Sequence, residues 1–215
     1  MERWATFDCY GTLIDWDGGV RAELVRVFGE ERADDQLRRY HEVEAELQRD
    51  GSLTYREVLT RSMRQLGAPA GAEHGLADSL PAWRAFPEVA NSLEELRRRG
   101  WRLAILSNTD DDLIAASQVR IGVPFDEVVV AQEIGSYKPG HRHWEEFFAR
   151  TRARREGHVH VAASLFHDIA PANELGLRSV WINRLDESAR DGARPDRELA
   201  DLVLLPETLD ELLPA

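Results

Sequence analysis

Six short apolar runs, separated by stretches with helical spacing, restrict this chain more than any other feature. They are WATFDCY (4–10), RLAILSN (102–108), DEVVVAQ (126–132), VHVAAS (159–164), RSVWIN (178–183) and ADLVLLP (200–206). Runs that are apolar on both faces and alternate with helices predict a parallel sheet covered on both sides. The interval from Tyr10 to Arg102 is far longer than one crossover needs. Within it VRAELVRVFGE, DDQLRRYHEVEAELQRDG and TYREVLTRSMRQLG carry apolar residues three and four apart, and glycine follows the last two where a C-cap would sit. The expectation is an α/β, doubly wound, Rossmann-like core of residues 1–14 and 86–215, with an α-helical cap inserted over 15–85.

Composition narrows the setting. A single cysteine, Cys9, excludes an internal disulfide, and no leader or long apolar run is present, so a cytoplasmic protein is expected. The net charge of −12 disfavours nucleic acid and anionic membrane as partners, because phosphates are held mainly by Lys and Arg. A small anionic substrate would therefore need a local cationic site.

In a doubly wound sheet, ligands bind where the carboxyl ends of neighbouring strands converge. Asp8 follows the first run, Ser107 and Asn108 the second, Lys138 the third, and Ser164 and Asp168 the fourth. Four of them have ordinary alternatives. Asp8 can be a turn residue, Ser107 the start of a turn, Lys138 a solvated lysine, and Asn108 with Thr109 and Asp110 the cap of helix DDLIAASQV. The acidic run Asp110–Asp112 reads as charge complementing a helix N-terminus rather than a metal site. Cys9 points away from Asp8 if the strand persists, as a buried structural thiol.

FDCYGTLID (7–15), LSN (106–108), SYKPG (136–140) and SLFHDIAPANELGL (164–177) together resemble the four motifs of the haloacid dehalogenase superfamily, in order and spacing. The resemblance covers nearly the whole chain. It implies that Asp8 is a nucleophile forming a covalent intermediate that water cleaves, and that Lys138 keeps this carboxylate ionised beside an anionic substrate. It implies further that Asp168 holds Lys138 or orients the water. Thr12, on a turn permitted by Gly11, can bond Asp8, and Ser107 and Asn108 can donate to substrate oxygen or a leaving anion.

Two departures separate the chain from the superfamily's phosphatases, which carry a second aspartate where Tyr10 stands and a Mg²⁺-binding aspartate where Ser164 stands. A phenol is a poor carboxylic-acid substitute, and a hydroxyl adds little to binding a hard dication. Both departures resemble the L-2-haloacid dehalogenase branch, which implies displacement of halide from a 2-haloalkanoic acid without a cofactor. That branch supplies a cap arginine for the halide, and Arg39, with Arg38 beside it, stands at the corresponding place, though both are equally readable as solvated helix arginines. Ala163 and Leu165 replace the serine and asparagine that help position water there, Thr109 replaces a glycine, and His167 is either a compensating donor or base or, more commonly for such a residue, a packed or exposed histidine. The alternatives are a Mg²⁺-dependent phosphatase and a non-catalytic binding protein of the same fold. Trp16, Tyr40, Trp83 and Trp144 are candidate pocket walls or core residues, and the resemblance implies that the cap helices can form a homodimer surface.

Overall fold

The computed structural model describes residues 2–49, 51–188 and 192–214. Its strands are β1 (Arg3–Phe7), β2 (Trp101–Ser107), β3 (Glu127–Val130), β4 (His158–Ala162), β5 (Arg178–Ile182) and β6 (Arg197–Leu199). All pair in parallel in the order β3-β2-β1-β4-β5-β6. The order reverses at β1, which lies between β2 and β4, so a crevice opens at the carboxyl ends of these three strands.

Four helices, α1 (Trp16–Phe28), α2 (Glu30–Gln48), α3 (Tyr55–Gln65) and α4 (Gly75–Ser79), lie between β1 and the rest of the sheet and form the cap. Six more flank the sheet: α5 (Val89–Arg98), α6 (Asp111–Ile121), α7 (Ala131–Ile134), α8 (Arg142–Thr151), α9 (Ala170–Glu174) and α10 (Leu205–Leu212). Alternation along β1 sends Ala5 and Phe7 into one apolar cluster and Trp4 into another. The first cluster runs without a break from α5 and α10 to Val20, Leu24, Val58 and Leu59 of the cap. The second packs Trp4, Ala104, Leu106 and Val129 against Trp144 and Phe147 of α8. Burying a side chain of this size contributes about 1.5–3 kcal/mol, so the shared cluster ties the cap to the sheet.

One predicted strand is wrong. The run 200–206 does not pair; β6 precedes it and α10 begins inside it. Leu202, Leu205 and Leu209 are buried while Val203 and Leu204 are exposed, a helical rather than alternating pattern, and Pro206 sits in the first turn of α10, where its missing N–H costs nothing. Of the two expected C-cap glycines, Gly67 takes the left-handed backbone at φ +83° and Gly51 does not. Among the described residues, no helix is long and apolar enough to cross a membrane.

Candidate active site

β1 ends at Phe7, so Asp8 is the first residue beyond the sheet, and its N–H still donates to Val161 O on β4 at 3.1 Å. The chain must then turn sharply, and Gly11 does so at φ +85°, which a side chain would strain. This turn brings Thr12 back under Asp8. Its hydroxyl donates to Asp8 Oδ2 at 3.0 Å and accepts from the Ala163 N–H at 2.9 Å, joining the ends of β1 and β4.

Lys138 reaches the same point from the loop after α7. Its ammonium donates to Asp8 Oδ1 at 2.9 Å, Asp168 Oδ1 at 2.6 Å and Leu106 O at 2.8 Å, which uses all three of its protons. Asp168 stands on a π-helical turn, Leu165–Ile169, that follows β4. Burial opposes charge on every member of this cluster. Two carboxylates outweigh burial at Lys138 and hold its pKa above the ordinary lysine value. At Asp168, burial is outweighed by Lys138 and by the hydrogen bond to His160, which keep the carboxyl well below the usual range. Burial pushes Asp8 above that range, opposed by Lys138 and reinforced by the Asp168 charge. The cluster thus holds one fixed cation between two acids.

The remaining predicted residues divide. Asn108 accepts from the Lys138 N–H at 2.7 Å and donates to Lys138 O at 3.0 Å, fastening the lysine loop, and donates to Gln48 of the cap at 3.1 Å. Ser107 lines the cavity with its hydroxyl buried and without a partner among the described residues. Ser164 accepts from the His167 N–H and pairs with its Nδ1 at 3.1 Å. Burial lowers the His167 pKa, so it favours the neutral imidazole. The Tyr10 ring lines the cavity, but its hydroxyl is 3.0 Å from Ser117 Oγ, whose own proton goes to Leu113 O. Tyr10 therefore donates away from the cavity, and burial lifts its pKa well above the usual phenol value. Cys9 is fully buried and its thiol pKa is raised in the same way.

Arg39 does not reach the site. It is exposed on α2, donates to Gln36 at 3.3 Å, and does not line the cavity; Arg38 pairs instead with Asp35. The face of α2 that does line it carries His41, Glu44, Ala45 and Gln48, the three- and four-residue spacing of one helical stripe. The cap therefore presents a carboxyl where a guanidinium was expected. Burial raises the pKa of Glu44 to about 7, so it carries a proton much of the time at neutral pH.

The cavity between sheet and cap has a volume of about 500 Å³. Trp16 lines it, whereas Tyr40, Trp83 and Trp144 are core residues. Sequence reading missed Tyr55, Phe86 and Arg184. Arg184 lies over the Phe86 ring at 3.6 Å and donates to Thr12 O and Glu88, so its charge is already engaged. Asp110, expected to cap α6, stands at its N-cap position without a side-chain bond there and caps α3 instead: its carboxylate accepts from the Tyr55 and Arg56 N–H groups at 2.8 and 2.9 Å.

The donor set does not suit a hard dication. Asp8 and Asp168 each give one oxygen to Lys138, Ser164 offers only a hydroxyl engaged by His167, and no group of three or more His, Cys, Asp or Glu among the described residues is arranged to hold a metal.

The fold and site together define an α/β protein with a buried acid–lysine–acid cluster at its strand ends under a helical cap. The family model for haloacid dehalogenase-like hydrolases matches residues 3–176, and the chain belongs to that family. It is 28% identical over 223 residues to (S)-2-haloacid dehalogenase 4A of Burkholderia cepacia, covering 99% of this chain and 94% of that protein. It is 33% identical over 111 residues, half of this chain, to glyceraldehyde 3-phosphate phosphatase of Methanothermobacter thermautotrophicus. In fold it matches L-2-haloacid dehalogenase from Xanthobacter autotrophicus with chloropropionic acid covalently bound, at a TM-score of 0.84 and 20% identity over 97% of this chain and 98% of that one.

Proposed function

We propose that this hydrolase is a 2-haloacid dehalogenase in which Asp8 is the nucleophile, with residues 15–85 serving as the cap. The observation that carries the reading is the hold on Asp8. Lys138 takes one oxygen and Thr12 the other at the wall of a cavity of about 500 Å³, so the carboxylate is fixed in place, beside a cation and with room for a small substrate.

In the first half-reaction an Asp8 oxygen attacks C2 of a 2-haloalkanoate. The new C–O bond forms as the carbon–halogen bond breaks, the halide leaves with its electron pair, and C2 inverts. Halide needs no proton, which agrees with a Tyr10 hydroxyl turned away towards Ser117. The substrate carboxylate requires a donor, and the buried Ser107 hydroxyl has no other partner among the described residues. A protonated Glu44 adds no repulsion. In the second half-reaction water attacks the Asp8 carbonyl carbon and releases the 2-hydroxyacid. Both donors to Asp168 converge on Oδ1, and its buried Oδ2 has no partner among the described residues, so Oδ2 is the acceptor for this water.

The test is intact-protein mass spectrometry after turnover of 2-chloropropanoate in ¹⁸O-water, with EDTA present. Label should enter Asp8, and Asp8→Asn should release no halide. Turnover without label would exclude the ester. Absence of halide release across a panel of 2-haloacids, with magnesium-dependent hydrolysis of p-nitrophenyl phosphate, would establish the phosphatase reading instead.

A further inference from the structure

The sequence HVHVA on β4 places His158 and His160 two residues apart, hence on one face of the sheet, and β1 brings Thr6 level with His160. Thr6 Oγ1 lies 2.8 Å from His158 Nε2 and 2.8 Å from His160 Nδ1, and His160 Nε2 lies 2.9 Å from Asp168 Oδ1. None of the four side chains is more than 1% exposed. Nothing assigned so far requires two buried histidines behind the acid–lysine–acid cluster.

Each contact holds one proton, so the chain has a direction. Asp168 is ionised and can only accept, which puts a proton on His160 Nε2. A neutral His160 then accepts at Nδ1 from the Thr6 hydroxyl, and Thr6 in turn accepts from His158 Nε2–H. This leaves His158 Nδ1 bare, and that atom is buried without a partner among the described residues. The opposite direction would make His160 a cation and leave a buried, unpaired N–H on His158, a costlier arrangement. Trp144 packs edge-to-face against His160, with ring centroids 5.1 Å apart and ring planes at 71°.

We propose that His160, its tautomer set by Thr6 and His158, is a positioning residue for hydrolysis of the Asp8 ester. It fixes Asp168 from behind by Oδ1 and so leaves Oδ2 free to hold the attacking water. The inference rests on the covalent reading above. It also accounts for Ala163 and Leu165: the orienting donor comes from within the sheet rather than from the loop that follows it.

The experiment compares wild type, His160→Leu, His160→Gln and Thr6→Val with 2-chloropropanoate as probe, measuring the covalent adduct by intact mass and both half-reactions by rapid quench. His160→Leu should form the adduct within about 3-fold of the wild-type rate but hydrolyse it between about 10- and 100-fold more slowly, the range for loss of an outer partner of a site residue. The adduct should accumulate, and kcat and KM should fall together. His160→Gln, which keeps an N–H donor, should recover most of the loss, and Thr6→Val should show a smaller slowing of the same step. Equal slowing of both half-reactions, or no accumulation in any variant, would overturn the proposal. Should wild type form no adduct, the function reading falls, and ¹⁵N NMR of the resting protein decides the relay without turnover. Nε2–H tautomers at both histidines support it, and an imidazolium at His160 or an Nδ1–H at His158 overturns it.

Discussion

Replacing Glu44 by Gln should stabilise the protein at alkaline pH and leave it nearly unchanged in mild acid. Glu44 is 6% exposed on the cavity side of α2, and the amide of Gln48 donates to its Oε1, an acceptor that glutamine retains. Its pKa rises from 4.5 to about 7, with burial as the largest cause and His41 opposing it. The folded state therefore binds this proton more tightly than the unfolded chain. The stability is fully present below pH 4.5 and is lost as pH rises through about 7. At about 1.4 kcal/mol per pH decade the loss is about 3 kcal/mol, or roughly 6–12 °C in Tm for a domain of this size. Thermal unfolding of both proteins at pH 4 and pH 8.5 measures it: the variant should match wild type at the first and exceed it at the second. Equal Tm values at both would show that Glu44 is not held neutral, and an equal loss at both would show that Gln48 needs a carboxylate. The same substitution should remove a rise in KM for 2-haloacids above pH 7, since only wild type then sets a negative charge against the substrate.

Three further outcomes are expected. Tyr10→Phe should keep kcat within about 3-fold while costing about 1 kcal/mol in denaturant unfolding, because the hydroxyl serves Ser117 and not the substrate. Arg39→Ala should leave kcat/KM for halide release within about 2-fold, as an exposed helix residue outside the cavity allows. Lys138→Met should abolish turnover and cost roughly 3–5 kcal/mol, since it strands two buried carboxylates; a Tm unchanged from wild type would refute the ion-pair geometry.

Much of the candidate site was legible because Asp8, Lys138 and Asp168 lie in the connections that follow β1, β3 and β4, and a parallel sheet brings the carboxyl ends of its strands to one edge. Arg39 failed because counting residues from Asp8 ignores helical phase. His41, Glu44, Ala45 and Gln48 form the stripe that meets the cavity, and that stripe could have been read from the α2 pattern. The run 200–206 shows the converse: an apolar stretch ending in proline satisfies strand and helix alike until burial distinguishes them. Tyr55 and Asp110 carry no local signal, because one becomes the other's partner only when α3 docks on the loop after β2.

That docking constrains how the cavity can open. The cap is fastened near Ile14, which bridges to Ala85, and again at the α2–α3 junction, where Asp110 holds Tyr55 and Arg56, Tyr137 holds Leu53 O, and Asn108 holds Gln48. These polar fastenings add to the apolar cluster that the cap shares with the sheet, so lifting the cap as one body must part both together.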